Sequence, residues 1–244
     1  DTVLVRSGDP VQRIYFPLSG LVAFIMDMPS GETVATAVIG NDGAAGLLSA
    51  LGPTRSPVTT AVRIAGTALQ ISPARFQAAL RRSNPVREAV QTLTRSLLAQ
   101  FQHTAACNAL HTVEARLARW LLQVHDRADG DVLPLTQETL SEMLGVRRPT
   151  VTHVVRRLRA SGAIRSNRRS LIEIDRPHLE AAACECYQLM RRRLELINSP
   201  EEMHPSDSAR SAADRRPQAP LFAKPDDVRL RTRTHGMVHR PRSH

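Results

Sequence analysis

Between Gln137 and Leu158 the chain carries a pattern that few folds can satisfy. Leu140 and Leu144 lie one helical turn apart, and Ser141 between them is small enough for a second helix to cross closely. Gly145 stands where the first helix has to stop in a left-handed residue, a conformation glycine adopts without a Cβ penalty. Val146 plugs the turn, and Val151, Val154 and Leu158 form the inner stripe of a second helix. Two short helices joined at such a corner make a helix-turn-helix.

The outer face of the second helix is polar or cationic: Arg147, Arg148, Thr150, Thr152, His153, Arg156 and Arg157. From Gly145 to Ser170 there are eight arginines and no acid. Such a field attracts phosphates, and the side chains at the start of the helix can reach base edges. A helical hairpin with a solvated basic face is the competing reading. The coincidence of turn, small residue, inner stripe and acid-free face favours DNA binding. The formal net charge of +10 points the same way, toward a polyanionic partner. Lys224 is the sole lysine, so nearly all positive charge is arginine.

Upstream, residues 1 to about 71 read as strands over Val3–Val5, Ile14–Phe16, Leu21–Ile25, Val34–Val38, Val62–Ile64 and Ala68–Ile71, separated by Gly, Pro, Asn and Asp turns. Many short strands at near-even spacing predict a barrel or a sandwich-like roll. Ser72-Pro73 and Asn84-Pro85 each start a helix, since a proline fits the first helical turn. In the second, longer helix Val86, Val90, Leu93, Leu97, Phe101 and Ala105 make one narrow stripe. We read it as a seam between two copies of the chain, over the alternative of a helix lying on its own core. Another helix follows from Thr112, with Leu117, Trp120, Leu121 and Val124 on one face and Trp120 as a core residue. A hairpin over Ala163-Ile164 and Leu171–Ile174 comes next, then a helix from Asp175 through Leu179, Ala182, Tyr187 and Met190. After about Asn198 large apolar residues become scarce, and a disordered tail is expected.

In this order of parts the chain resembles the Crp/Fnr family of bacterial transcription regulators, over about Val3 to Tyr187. The stretches that carry the likeness are Ile14 to Gly20, Ile39 to Leu47, Leu135 to Leu158 and Ala182 to Tyr187. The resemblance implies an α+β chain in three parts. Residues 1–82 would be a cyclic-nucleotide-binding-like sensor β-roll, 83–110 a dimerisation helix and 111–190 a winged helix-turn-helix, with a basic tail at 198–244. It also implies a homodimer that reads two-fold related promoter sites on double-stranded DNA and recruits or blocks RNA polymerase. In the family an arginine early in the recognition helix forks to guanine, and Arg148 stands there. A glutamate usually follows it, whereas this chain has Pro149; His153 stands where a second arginine is frequent. The target sequence therefore differs from the best-known one. Thr150 and Thr152 suit phosphate or thymine-methyl contacts, Arg156 lies on the same face, and Arg165, Arg168 and Arg169 suit backbone phosphates from the wing.

In the sensor half, members that bind cyclic AMP carry Gly-Glu in the pocket loop and Arg-Ser soon after. Here Gly43 is followed by Ala44, so the ribose acceptor is absent, while Arg55-Ser56 can supply the phosphate half. A small-molecule effector other than cyclic AMP, or none, is expected. No cofactor is expected either: cysteines near the N-terminus that could hold an iron–sulfur cluster are lacking, and no residue stands out as a haem ligand. Cys107, Cys184 and Cys186 fit no zinc-finger spacing and are read as reduced thiols on a helix, with no metal. His111 with Glu114 is read as a surface pair.

An enzyme with a regulatory roll is a weaker reading, because no Gly-rich phosphate loop, nucleophile elbow or His-Glu-x-x-His is present. An RNA-binding or architectural protein would want aromatic stacking platforms, and aromatic residues are 3% of the chain. No run of about 20 apolar residues suggests a membrane span. The sequence opens on Asp1 with no initiator Met and no secretory leader, so a cytoplasmic protein is expected, with a true N-terminus that can lie upstream.

Overall fold

The computed structural model describes residues 2–52, 55–166, 171–199 and 226–230. The first half is a β-roll. β1 (Val3–Val5), β5 (Thr59–Ile64), β3 (Leu21–Asp27) and β4 (Thr33–Ile39) pair in that order, antiparallel throughout. A second sheet holds β2 (Ile14–Pro17) against β6 (Gly66–Ile71). A short α1 (Leu47–Ala50) lies between β4 and β5.

β3 explains how the roll meets the rest of the chain. Successive strand residues point to opposite faces. Val22 and Phe24 face inward, into a cluster with Ala37, Ile39, Val62 and Ala68. Leu21, Ala23 and Ile25 face the other way, into a cluster shared with Leu117, Leu121, Leu140, Met143 and Leu144 of the C-terminal half. A central strand with alternating residues would leave one face wet if the roll stood alone. Here both faces are dry, and the two halves of the chain share one core. Each fully buried leucine or isoleucine in it contributes about 1.5–3 kcal/mol relative to exposure.

The roll leads into α2 (Pro73–Arg82) and α3 (Asn84–Leu110). Ser72 and Ser83 cap them, accepting hydrogen bonds from Arg75 N and Val86 N, and a proline occupies the first turn of each. The apolar stripe of α3 is not the free seam that its regularity suggests. Val90, 6% exposed, joins Ile14, Ala44, Leu47 and Phe76, with Leu93 packed beside them. Leu97, 5% exposed, closes the inner cluster of the roll, and Phe101 meets Phe24 edge-on at 6.3 Å. Val86 is half-buried at the helix start. Periodicity identifies a face that must be covered; it does not say by what, and here this chain's own roll covers most of it.

The C-terminal half comprises α4 (Val113–His125), β7 (Val132–Pro134), α5 (Gln137–Leu144), α6 (Arg148–Ala160), β8 (Ile164–Ser166), β9 (Leu171–Ile174), α7 (Arg176–Ala182) and α8 (Cys186–Asn198). Trp120 on α4 is 1% exposed, a core residue as expected. The last helix is split, because Ala183 is extended (φ −77°, ψ 153°) and turns the chain before α8 begins. β7 was too short to be visible as an alternating run, yet it pairs with β9. The tail also departs from expectation: residues Asp226–Leu230 form β10, antiparallel to β6 from Asp226 opposite Gln70 to Leu230 opposite Gly66. Its two leading aspartates are poor strand formers, so local propensity gives no hint of it. The rest of the expected disordered segment, 200–225 and 231–244, lies outside the described residues. Among the described residues no helix is long and apolar enough to cross a membrane.

Candidate nucleic-acid interface

The helix-turn-helix is built by α5 and α6. Thr136 caps α5, accepting from Thr139 N at 3.0 Å. Gly145 ends it at φ 63° and ψ 41°, the left-handed turn. Val146 N donates to the Ser141 carbonyl at 3.2 Å, and the Ser141 hydroxyl donates to the Val146 carbonyl, so the corner is closed twice. Arg116, 8% exposed, reaches from α4 to donate to the Leu144 carbonyl at 2.6 Å, satisfying an end-of-helix acceptor. Val151, Val154 and Leu158 are buried, which fixes the rotation of α6. Arg147, Arg148, Thr150, His153 and Arg156 are consequently exposed on its other side, with Thr152 half-exposed.

The acid-free face of the sequence is not acid-free in space. Glu138, in the first turn of α5, pairs with Arg148 at 2.9 Å, and Gln137 accepts from the Thr152 hydroxyl at 2.9 Å. Glu114 of α4 holds Arg157 at 2.8 Å, and Glu173 across the wing holds Arg165 at 3.4 Å. The Arg148–Glu138 pair is more than 60% exposed on both sides, so it is weak enough to exchange for a phosphate or base. Glu114 and Glu173 were missed because they come from outside the motif, and Gln137 and Glu138 because the spacing within it does not show that the first turn of α5 faces α6; the acid in that turn was the one visible sign. Glu114 does not pair with His111, which instead meets Glu185 at 3.1 Å. β8 and β9 form the expected wing hairpin, Arg165 opposite Glu173; Arg168 and Arg169 lie outside the described residues.

The reading unit is anchored to the roll. Arg63 of β5, whose side chain is 4% exposed, pairs with Glu142 of α5; burial pulls its pKa down and Glu142 pulls it back up. Arg127 forks onto Asp42 at 2.6 and 3.1 Å. A cleft of about 370 Å³ lies beside this fork, between Asn41-Asp42 and residues of α4 and α8.

The expected effector residues have other occupations. Ala44 is 3% exposed in the cluster under α2 and α3, and a Cβ on Gly43 would collide with Ile39. Arg55 donates to the Gly8 carbonyl at 2.7 Å, and the buried Ser56 donates to the Val58 carbonyl at 2.6 Å. The cysteines are a clearer departure. They are not isolated thiols on one helix: Cys107, Cys184, Cys186 and His111 bring their ligand atoms within 4.8 Å of one another. The Cys107 thiol is drawn below its ordinary range, first by the hydrogen bond with Cys184, against burial and helped by Arg119.

A β-roll, a long helix and a winged helix-turn-helix with an outward cationic helix define a two-part DNA-binding regulator. The comparisons agree. Residues 1–83 match the cyclic nucleotide-binding domain and residues 115–182 the Crp-like helix-turn-helix domain. FixK2 from Bradyrhizobium japonicum is similar in structure at 18% identity and TM-score 0.66, over 75% of this chain and 93% of that one. A CRP-family transcriptional regulator from Thermus thermophilus gives 18% identity and TM-score 0.63 over the same shares. The c-di-GMP responsive global regulator CLP from Xanthomonas campestris gives 19% and 0.59, over 71% and 89%. No curated protein matches the chain. The chain belongs to the Crp/Fnr family of transcriptional regulators.

Proposed function

We propose that this regulator binds two-fold related promoter sites as a homodimer, under an effector other than cyclic AMP. The observation that carries the reading is the outward start of α6, where Arg147, Arg148, Thr150 and His153 stand clear of a helix locked by four buried apolar residues. Arg148 would leave Glu138 for a guanine edge, while Arg147, Arg156 and Arg165, with Arg168 and Arg169, would meet phosphates.

The two copies would meet along a face of α3 that adjoins the stripe described above and shares only the exposed Ala105 with it. Gln91, Arg95, Leu98, Gln102, Ala105 and Ala109 are exposed at steps of four and three, a coiled-coil period, and Leu98 is 54% exposed. Two recognition helices so related would enter successive major grooves ~34–36 Å apart. Against cyclic AMP stands the buried Ala44 where a carboxylate would be needed. Contact with RNA polymerase and a cytoplasmic location follow from the regulator's role. Selection of bound duplexes from a random pool tests the reading: it should return two half-sites in inverted order. Recovery of no preferred sequence at moderate salt would refute it.

A further inference from the structure

Four side chains converge where the end of α3 meets the corner between α7 and α8. Cys107 lies in the last turn of α3, and His111 caps that helix one turn on, its N–H bonded to the Cys107 carbonyl. Cys184 sits in the α7–α8 corner and Cys186 opens α8. We propose that Cys107, His111, Cys184 and Cys186 bind one thiophilic metal ion, zinc in the first instance, which clips α3 to the C-terminal helices.

The spacing fits a single ion. Zinc bonds of about 2.3 Å to sulfur and 2.0–2.1 Å to nitrogen set neighbouring tetrahedral ligands about 3.5–3.8 Å apart. Cys107 Sγ to Cys184 Sγ is 3.5 Å, and Cys186 Sγ to His111 Nδ1 is 3.5 Å. An iron–sulfur cluster distributes its cysteines over several iron atoms and holds them farther apart. A Cys107–Cys184 disulfide would use two of the four groups and leave Cys186 and His111 without a task.

The surroundings carry the argument beyond proximity. His111 Nε2 faces Glu185 Oε1 at 3.1 Å, which fixes the proton there and leaves the Nδ1 lone pair free to coordinate an ion held among the sulfurs. Arg119 is 0% exposed, and its described partners are Cys107 Sγ at 3.2 Å, Gln123 Oε1 at 2.8 Å and the face of Trp120 at 4.6 Å. None is a carboxylate, and its Nη2 has no hydrogen-bond partner. A buried guanidinium needs a counter-charge. Three thiolates around a divalent cation leave one negative charge, which is what Arg119 would neutralise. Plain buried thiols would explain neither the histidine nor the arginine. On binding, the thiol protons go to solvent, and the sulfur and nitrogen lone pairs go to the metal.

The test uses the full chain, expressed with zinc and purified reduced and free of chelator. Elemental analysis should find one zinc per chain, as expected for one four-ligand site. Cobalt(II) exchanged into the same protein should show thiolate-to-cobalt charge transfer and the visible bands of a tetrahedral site. Cys184→Ser should weaken zinc binding about a hundredfold and Glu185→Gln about tenfold, the latter with unchanged circular dichroism. Zinc well below one per chain together with an octahedral cobalt spectrum would overturn the proposal. Acid-labile sulfide with iron, or a quantitative Cys107–Cys184 disulfide under reducing purification, would do the same. Metal content is read without DNA, so it stands or falls apart from promoter binding.

Discussion

Gly145→Ala is the sharpest probe of how the helix-turn-helix is seated. Gly145 has φ 63°, and a side chain in that left-handed region costs roughly 1–2 kcal/mol. The new Cβ would also stand 3.1 Å from both Cβ and Cγ2 of Val34 on β4, so one of the two elements must yield, at a further cost on the order of 1 kcal/mol. The sum is about 2–3 kcal/mol, or a fall in Tm of about 5–10 °C for a chain of this size. Thermal unfolding of wild type, Gly145→Ala, Val34→Ala and the double variant separates the parts. The double variant should recover about half of that steric share, since Val34→Ala removes Cγ2 but keeps Cβ, and leave the backbone share unrelieved. If alanine at 145 leaves Tm unmoved, the left-handed corner is wrong. If the two substitutions are simply additive, the turn is not pressed against β4.

Neighbouring leucines on α3 should behave oppositely. Leu97→Ala, inside the roll, should cost about 2–5 kcal/mol of stability; Leu98→Asp should barely alter unfolding but shift sedimentation to monomer. A stable Leu98→Asp dimer would place the interface elsewhere. Arg148→Ala should cost about 1–3 kcal/mol of operator binding and relax preference at one base pair. Arg157→Ala, held by Glu114, should change neither base preference nor stability by more than about 1 kcal/mol. Equal losses for both in binding assays would mean that α6 reads charge alone. The carboxyl of Asp175 is held below its ordinary range, first by the His178 side chain and then by its N–H. Its contribution is therefore full above the ordinary aspartate pKa and is lost as pH falls through the lowered value. Asp175→Asn should flatten that acid limb in urea titrations.

Most of the architecture was legible in local chemistry. The six strands of the roll begin or end within a few residues of their alternating runs, and Gly145 marked its corner because the positive φ needed between those two stripes favours a glycine. What escaped was whatever depends on distant partners. The α3 stripe was real, but its cover was the roll rather than a second chain. The glutamates that hold Arg148, Arg157 and Arg165 sit 10, 43 and 8 residues away and contribute no pattern to the motif itself. The cysteines fit no spacing rule because 77 residues separate Cys107 from Cys184; folding α8 back onto α3 brings them together.

The two-sided burial of β3 limits how a signal can travel. To swing the recognition helix away from the roll, water would have to reach Leu21, Ala23 and Ile25, and the Arg63–Glu142 and Arg127–Asp42 pairs would have to open. In the homodimer proposed above, sliding one protomer as a unit against the other would wet none of these groups. An incoming message is therefore expected to change the angle between whole protomers, like the legs of a pair of compasses, rather than to loosen a head from its body.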